Sequence, residues 1–375
     1  MSGGERASRP RTSGTRASPE SPPPPRVVKG RGASSNPVNR FERLHVVADG
    51  SRVDPDDPSP RTKFLRDSSR SILSRNDSPD VAFGYTLNPY RGCEHGCIYC
   101  YARPTHEYLG FSAGLDFETK ILVKHEAPTL LRAALSSPRW TPAPIAMSGV
   151  TDPYQPVERR LRLTRGCIQV LAEFRNPLAV VTKNHLVTRD TDLLAELAAR
   201  GAATVALSVT TLRPDLQRVL EPRTATPDRR LDAIRSLTEA GVPVRVMVAP
   251  VIPGLTDQEI PAILAAAAEA GARAASYSLV RLPHGVREMF ADWLEAHVPQ
   301  RRDRVLNRIR DTRRGRLHDS CFGRRMTGDG AYADHVRQLF ETTRRKHRLH
   351  DGASALSAAA FRRPPPGDQL GLFDD

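Results

Sequence analysis

A chain of 375 residues, 39% of them hydrophobic, can bury a substantial core and exceeds what one small domain needs, so one large domain with appendages is expected. The net charge of +14 is uneven: residues 1 to 31 supply +5 and residues 301 to 350 supply +9, leaving the remainder neutral. No run approaches the ~18 apolar residues that cross a bilayer, no apolar leader is visible, and five cysteines make no disulfide framework, which excludes membrane and secreted classes and predicts a cytoplasmic monomer.

Residues 1 to 28 are Pro, Ser, Gly and Arg and predict a disordered arm, too poor in apolar side chains to offset ordering entropy. Residues 29 to 80 read as an irregular segment wrapping the core through anchors such as Phe41, Leu44 and Val46. From 81 to 283 short apolar or β-branched runs alternate with amphipathic stretches ending in glycine. The spacing predicts strands at 81–87, 144–148, 178–182, 203–209, 243–249 and 274–280. Between them, Leu193, Leu194, Leu197 and Ala198 share a helical face closed by Gly201, and a second helix begins at Pro227 and stops before Gly241. A third opens with a Thr256 and Glu259 capping box, aligns Ile260, Ile263, Leu264 and Ala267, and stops at Gly271. Six such units predict an α/β fold, a partial (β/α)6 TIM-like barrel whose chemistry sits at the C-terminal strand ends. Residues 284 to 350 read as a basic helical extension with helices near 286–297, 300–312 and 332–347, and 351 to 375 as a disordered tail. A basic face there suits a polyanion; with only six lysines in the chain, arginine is also its ordinary surface base.

Directly after the first predicted strand, "NPYRGCEHGCIYCYAR" puts Cys93, Cys97 and Cys100 in eight residues. In a reducing compartment such a cluster is a metal ligand set. A closed zinc site wants a fourth ligand, which here would have to be His95 or His106, at a spacing unlike the usual fingers. Three thiolates instead suit a four-iron, four-sulfur cube with one iron left open.

The C-x3-C-x-aromatic-C loop after the first strand of a β/α repeat resembles the radical S-adenosylmethionine (SAM) superfamily. That resemblance implies a 4Fe-4S cluster held by Cys93, Cys97 and Cys100, SAM bound at the open iron, an electron-donating reductant, and a 5′-deoxyadenosyl radical that abstracts hydrogen from a substrate. It also implies SAM contacts at the strand ends: Ser148, Gly149, Thr151 and Asp152 in "MSGVTDPYQPVE", Lys183 in "TKNH", Ser208 and Thr210 in "LSVTT", and "APVIPG" along the adenine. Over residues 81 to 283 the strings "YCYA", "TDP", "TK", "LEPRTATPDRRLDAI" and "APVIPG" are similar to the spore photoproduct lyase branch, which implies action on damaged or modified DNA and places Tyr99 and Tyr101 near SAM as candidates for a radical relay. Gly149 stands where those lyases carry a hydrogen-donating cysteine, a departure that sets dimer reversal apart from what this chain is expected to do. Cys167, in "RGCIQVLAEF", reads as a packed core thiol. Two other readings remain: a radical SAM maturase of a protein or peptide, and a non-catalytic nucleic-acid module clipped by a closed metal site.

Near the C-terminus "QLGLF" places Gln369, Leu370, Leu372 and Phe373 after a Pro-rich spacer. It resembles the peptide by which bacterial DNA-handling proteins dock on the sliding clamp, implying a groove-filling partner contact.

Overall fold

The computed structural model describes residues 27–42, 60–350 and 356–365. The arm up to residue 26, the anchors Leu44 and Val46, and the Gln369–Phe373 peptide lie outside the described residues.

Ten strands form two sheets: β1 (Lys63–Arg66), β2 (Leu73–Arg75), β3 (Tyr85–Leu87), β4 (Tyr90–Arg91), β5 (Lys120–Val123), β6 (Ile145–Met147), β7 (Leu178–Thr182), β8 (Ala203–Ser208), β9 (Val244–Val251) and β10 (Ala274–Leu279). The larger sheet runs β10-β9-β8-β7-β6-β3-β2. From β3 to β10 all neighbours are parallel and sequential, and β2 is antiparallel at the edge. All six predicted strands are present. The first is shorter than expected, beginning at Tyr85, and the fifth is longer, reaching Val251. Winding in one direction puts the helices on one face and turns the other inward, as in an open barrel. The small sheet, β1-β5-β4, lies outside this series and shapes the cysteine loop.

Alternation along the strands explains the core. Leu87, Met147, Val180, Val205 and Val246 face the helices in one large apolar cluster with Ile168, Leu171, Leu194, Ile234 and Ile263. A second cluster covers the cysteine loop: Cys97, Ile98 and Tyr99 pack with Leu220, Ile252, Leu282, Phe290, Trp293 and Val305. The predicted extension helices appear as Val286–His297, Arg302–Asp311 and Ala331–Lys346. They divide between the two clusters. The first two cap the loop, whereas Ala331–Lys346 packs on Ile260–Glu269 and sets Phe340 against Tyr277 at 4.7 Å. It covers the β10 side of the sheet, so this last helix is built into the α/β core while the first two cap the loop.

Three further expectations are corrected. Part of the predicted tail lies on the core: Ser357 N–H donates to Gly201 O (2.9 Å), Arg362 N–H to Phe174 O (2.9 Å), and Phe361 packs on Phe174. Thr256 and Glu259 form no capping box. The Thr256 hydroxyl accepts from Ile252 N–H, and the Glu259 carboxylate takes Thr211 Oγ1–H and Leu212 N–H, because tertiary donors compete for both side chains. Phe41 is no core anchor; it stacks on Tyr108 at 4.8 Å and stays half-exposed. The basic segment is paired only in part: Arg302, Arg308, Arg314, Arg324, Arg325, Arg337 and Arg344 each reach a carboxylate, and Arg313 is buried against the Val280 and Arg324 carbonyls.

Candidate active site

The cysteine loop leaves the C-terminal end of β3 through β4. Gly92 and Gly96 turn it with φ of 80° and 68°, in the left-handed region. Inside its curve lies Arg103, fully buried, whose guanidinium donates to the carbonyls of Cys97 (3.0 Å), Gly96 (3.2 Å), Ala113 (3.2 Å) and Gly114 (3.0 Å) and to Glu118 (2.5 Å). Glu118 in turn accepts from Gly32 N–H and Ala33 N–H, so the wrapping segment pins the loop from outside. Gly32 must be glycine, since a Cβ there would stand 1.8 Å from Gly96 O.

Cys93 and Cys97 are buried and Cys100 is partly so. Burial, and then Glu221, pushes the Cys97 thiol well above its ordinary range; burial and the neighbouring Cys93 raise Cys100 to about 11. Three thiols in one poorly solvated place are unfavourable as bare anions, and a cationic metal centre relieves that cost. Neither proposed fourth ligand is available. His95 faces Asp152 (3.4 Å) and Asn184 (3.1 Å), and His106 Nε2 lies on Lys120 O (3.0 Å). Among the described residues no three His, Cys, Asp or Glu side chains close on one ion. The donor set therefore fits a four-iron cube held at three corners, not a closed zinc site.

The strand ends gather around Glu221, a buried carboxylate that the sequence reading left without a role. It accepts from the Tyr99 hydroxyl, the Thr210 hydroxyl (2.6 Å), Lys183 Nζ (3.1 Å) and Arg230. Burial raises Glu221, opposed by Arg230. Burial, and then Arg230, lowers Lys183 to about 7. Lys183 also donates to Ala249 O (2.8 Å) and lies 5.7 Å from the Tyr99 ring. Arg230 reaches Ser208 O (2.9 Å), binding the end of β8 to the same network.

Asp152 is equally committed: its oxygens accept from Tyr154 N–H (2.8 Å), Thr182 Oγ1–H (2.7 Å) and Lys183 N–H (2.8 Å), with His95 beside them. Burial opposes charge on His95, but Asp152 and the Cys93 thiol outweigh it and lift the imidazole to about 10. The Thr151 hydroxyl donates to Gly92 O (2.6 Å) and supports the loop. Ser148 sits at the β6 end with its hydroxyl 3.5 Å from Thr151 O. At Gly149, φ is 120° and a Cβ would meet only the Thr86 methyl, at 3.9 Å, so backbone conformation rather than crowding favours glycine. Tyr101 is apart from the others: it points out of the loop, 48% exposed, under Arg281 at 4.9 Å. Cys167 is fully buried in Leu163–Phe174, as predicted.

Residues 87–267 match the model of the Radical SAM superfamily. Over 230 residues, 60% of this chain and 68% of the relative, the sequence is 41% identical to an uncharacterized protein of Mycobacterium tuberculosis. The chain belongs to the radical SAM superfamily. A second relative, an uncharacterized protein of Methanocaldococcus jannaschii, is 30% identical over 175 residues, 47% of this chain and 63% of the relative. The solved structure of spore photoproduct lyase complexed with dinucleoside spore photoproduct aligns with 76% of this chain and 78% of its own at 17% identity and a TM-score of 0.49. As a radical SAM enzyme the protein uses a 4Fe-4S cluster and SAM, which together supply reductive cleavage of the sulfonium to a 5′-deoxyadenosyl radical. The residues of this chain position and enclose: Arg103 and Thr151 fix the loop, the second apolar cluster excludes water from it, and Glu221 locks Tyr99, Lys183 and Thr210 into one rigid wall.

Two residues missed in the sequence had a readable signal. Arg230 lies in the apolar stripe with Ala233, Ile234 and Leu237, a charge where helical spacing calls for a core side chain. Glu221 stands at the C-cap of Pro214–Leu220, in the "LEPR" string.

The fold around the loop also carries an acid-sensitive element. His106 is buried between Phe111 and Phe117, and burial lowers it to about 4. Below pH ~6.5 the unfolded chain binds a proton that the folded chain refuses until about pH 4, so stability falls as pH drops through that window, by about 3 kcal/mol for this group. Urea unfolding of the iron-free protein at pH 7 and pH 4.5 is expected to show a smaller acid loss for His106→Phe than for the parent.

Proposed function

We propose that this radical SAM enzyme acts on nucleic acid, most simply a damaged or modified DNA strand. The observation that carries the reading is an aromatic and arginine surface beside the cysteine loop. Tyr101 is 48% exposed with Arg281 over its ring at 4.9 Å, and Phe322 is 57% exposed with Arg325 at 4.4 Å. Arg281 lies 3.7 Å from the sulfur of Met326, the residue after Arg325, so the two pairs are neighbours. Large exposed rings interleaved with guanidinium groups suit base stacking together with phosphate attraction. Within the site, SAM is held by the groups ringing the strand ends, Ser148, Gly149, Lys183, Ser208 and Thr210, with Asp152 and Thr151 as positioning residues and Tyr99 beside them. The Gln369–Phe373 peptide belongs to the same reading, tethering the enzyme to the sliding clamp on DNA.

Anaerobically reconstituted protein is expected to release 5′-deoxyadenosine faster with ultraviolet-damaged DNA than with undamaged DNA or none. Tyr101→Ala combined with Phe322→Ala is expected to weaken DNA binding by about 1–3 kcal/mol per lost stack, while leaving DNA-independent SAM cleavage unchanged. If no nucleic acid stimulates release or binds, and a protein extract does stimulate it, the DNA reading is replaced by that of a maturase.

A further inference from the structure

An open cavity of about 280 Å³ lies beside the β3 and β6 ends, lined by Ser74, Thr86, Asn88, Arg91, Lys124 and the rim residue Tyr108 among others. It shares Thr86 with the space next to Gly149, and Arg91 stands two residues before Cys93, so it adjoins the active-site mouth. Lys124 is 8% exposed, yet its ammonium makes no hydrogen bond to any described residue. The carboxylate beside it, Asp67, is shared: Oδ1 accepts from Ser69 N–H (2.9 Å) and its hydroxyl (2.5 Å), and Oδ2, which accepts no hydrogen bond, lies 3.0 Å from Arg91 Nε and attracts Lys124 as well. Arg91 spends a second donor on Ser69 Oγ (2.8 Å). Two cations thus share one carboxylate around the cavity. Asn88 adds a donor, since its carbonyl oxygen accepts from Val150 N–H (3.4 Å) while its amide nitrogen makes no hydrogen bond.

A mostly buried lysine whose ammonium opens onto the cavity, beside a guanidinium that shares the same carboxylate, makes this donor-rich space a place for an anion. From this we infer that the Lys124 cavity is a binding site for a phosphoryl group, which, resting on the nucleic-acid reading above, is a phosphodiester of the substrate strand next to the reacting nucleotide. Tyr108, 72% exposed at the rim and stacked on Phe41, offers a ring to the adjoining base.

The test uses the iron-loaded protein with two probes, a labelled 12-nucleotide single-stranded DNA followed by anisotropy and inorganic phosphate followed by phosphorus NMR. Lys124→Met is expected to weaken DNA binding about tenfold and to lower the slope of log affinity against log salt by about one. Lys124→Arg is expected to restore most of the affinity, and the parent alone to broaden the phosphate resonance. Lys124→Met leaves Asp67 paired with Arg91 and is expected to fold, with an unfolding temperature close to the parent's. If DNA binds equally to parent and Lys124→Met with the same salt slope, the cavity inference is overturned and the nucleic-acid reading stands. Should the parent bind phosphate through Lys124 but no DNA, the nucleic-acid reading falls and the anion site survives; binding of neither probe sinks both.

Discussion

Cys97→Ala is expected to reduce SAM cleavage to the uncatalysed background and to lower bound iron after anaerobic reconstitution, with the same outcome for Cys93→Ala and Cys100→Ala. The reason is the donor count. Three thiols lie in the one loop, and His95 and His106 are held by Asp152, Asn184 and Lys120, so no side chain stands ready to replace a missing sulfur. The two remaining cysteines are the controls. Cys167→Ala, in the core of Leu163–Phe174, should cost about 1 kcal/mol of stability and leave iron loading intact. Cys321→Ala, on the exposed stretch after the Arg302–Asp311 helix, should alter neither. Iron assay and 5′-deoxyadenosine release measured on all five variants check the assignment. Full activity in any loop variant would remove it.

Arg103→Met is expected to destabilise the protein by about 3–5 kcal/mol and to prevent cluster loading, though the side chain touches no substrate. Arg103 satisfies four loop carbonyls and the only charge on Glu118, and both partners of that pair are fully buried. Removing the guanidinium strips the buried Glu118 carboxylate of its ion-pair partner, leaving Arg31 and the Gly32 and Ala33 N–H groups beside it, and frees the loop that presents Cys97. The energetic and positional effects separate in a second variant. Arg103→Met with Glu118→Leu removes the orphaned charge and should recover part of the stability, while iron loading stays low because the carbonyl clamp is still missing. Chemical denaturation and iron content on the single and double variants are the measurements.

The sequence alone carried the chemistry that depends on nearby residues and the architecture that depends on periodicity. Cys93, Cys97 and Cys100 lie within one loop, so their spacing is a local property. The six strands and the helices at 191, 227 and 260 were visible because apolar period and terminal glycines are imposed by the chain itself. What tertiary structure decided were the partners of charged side chains. Glu221 meets Lys183, Tyr99 and Arg230 from three separate elements. Glu259 abandons its capping box for Thr211 and Leu212, and seven arginines of the C-terminal basic segment find carboxylates. A charge in a weakly polarisable interior is governed by whichever opposite charge or donor the fold brings within a few ångströms, and that neighbour is distant in sequence. The same holds for Ala331–Lys346: its apolar stripe announced burial, but only the tertiary structure showed that it packs on Ile260–Glu269 beside β10.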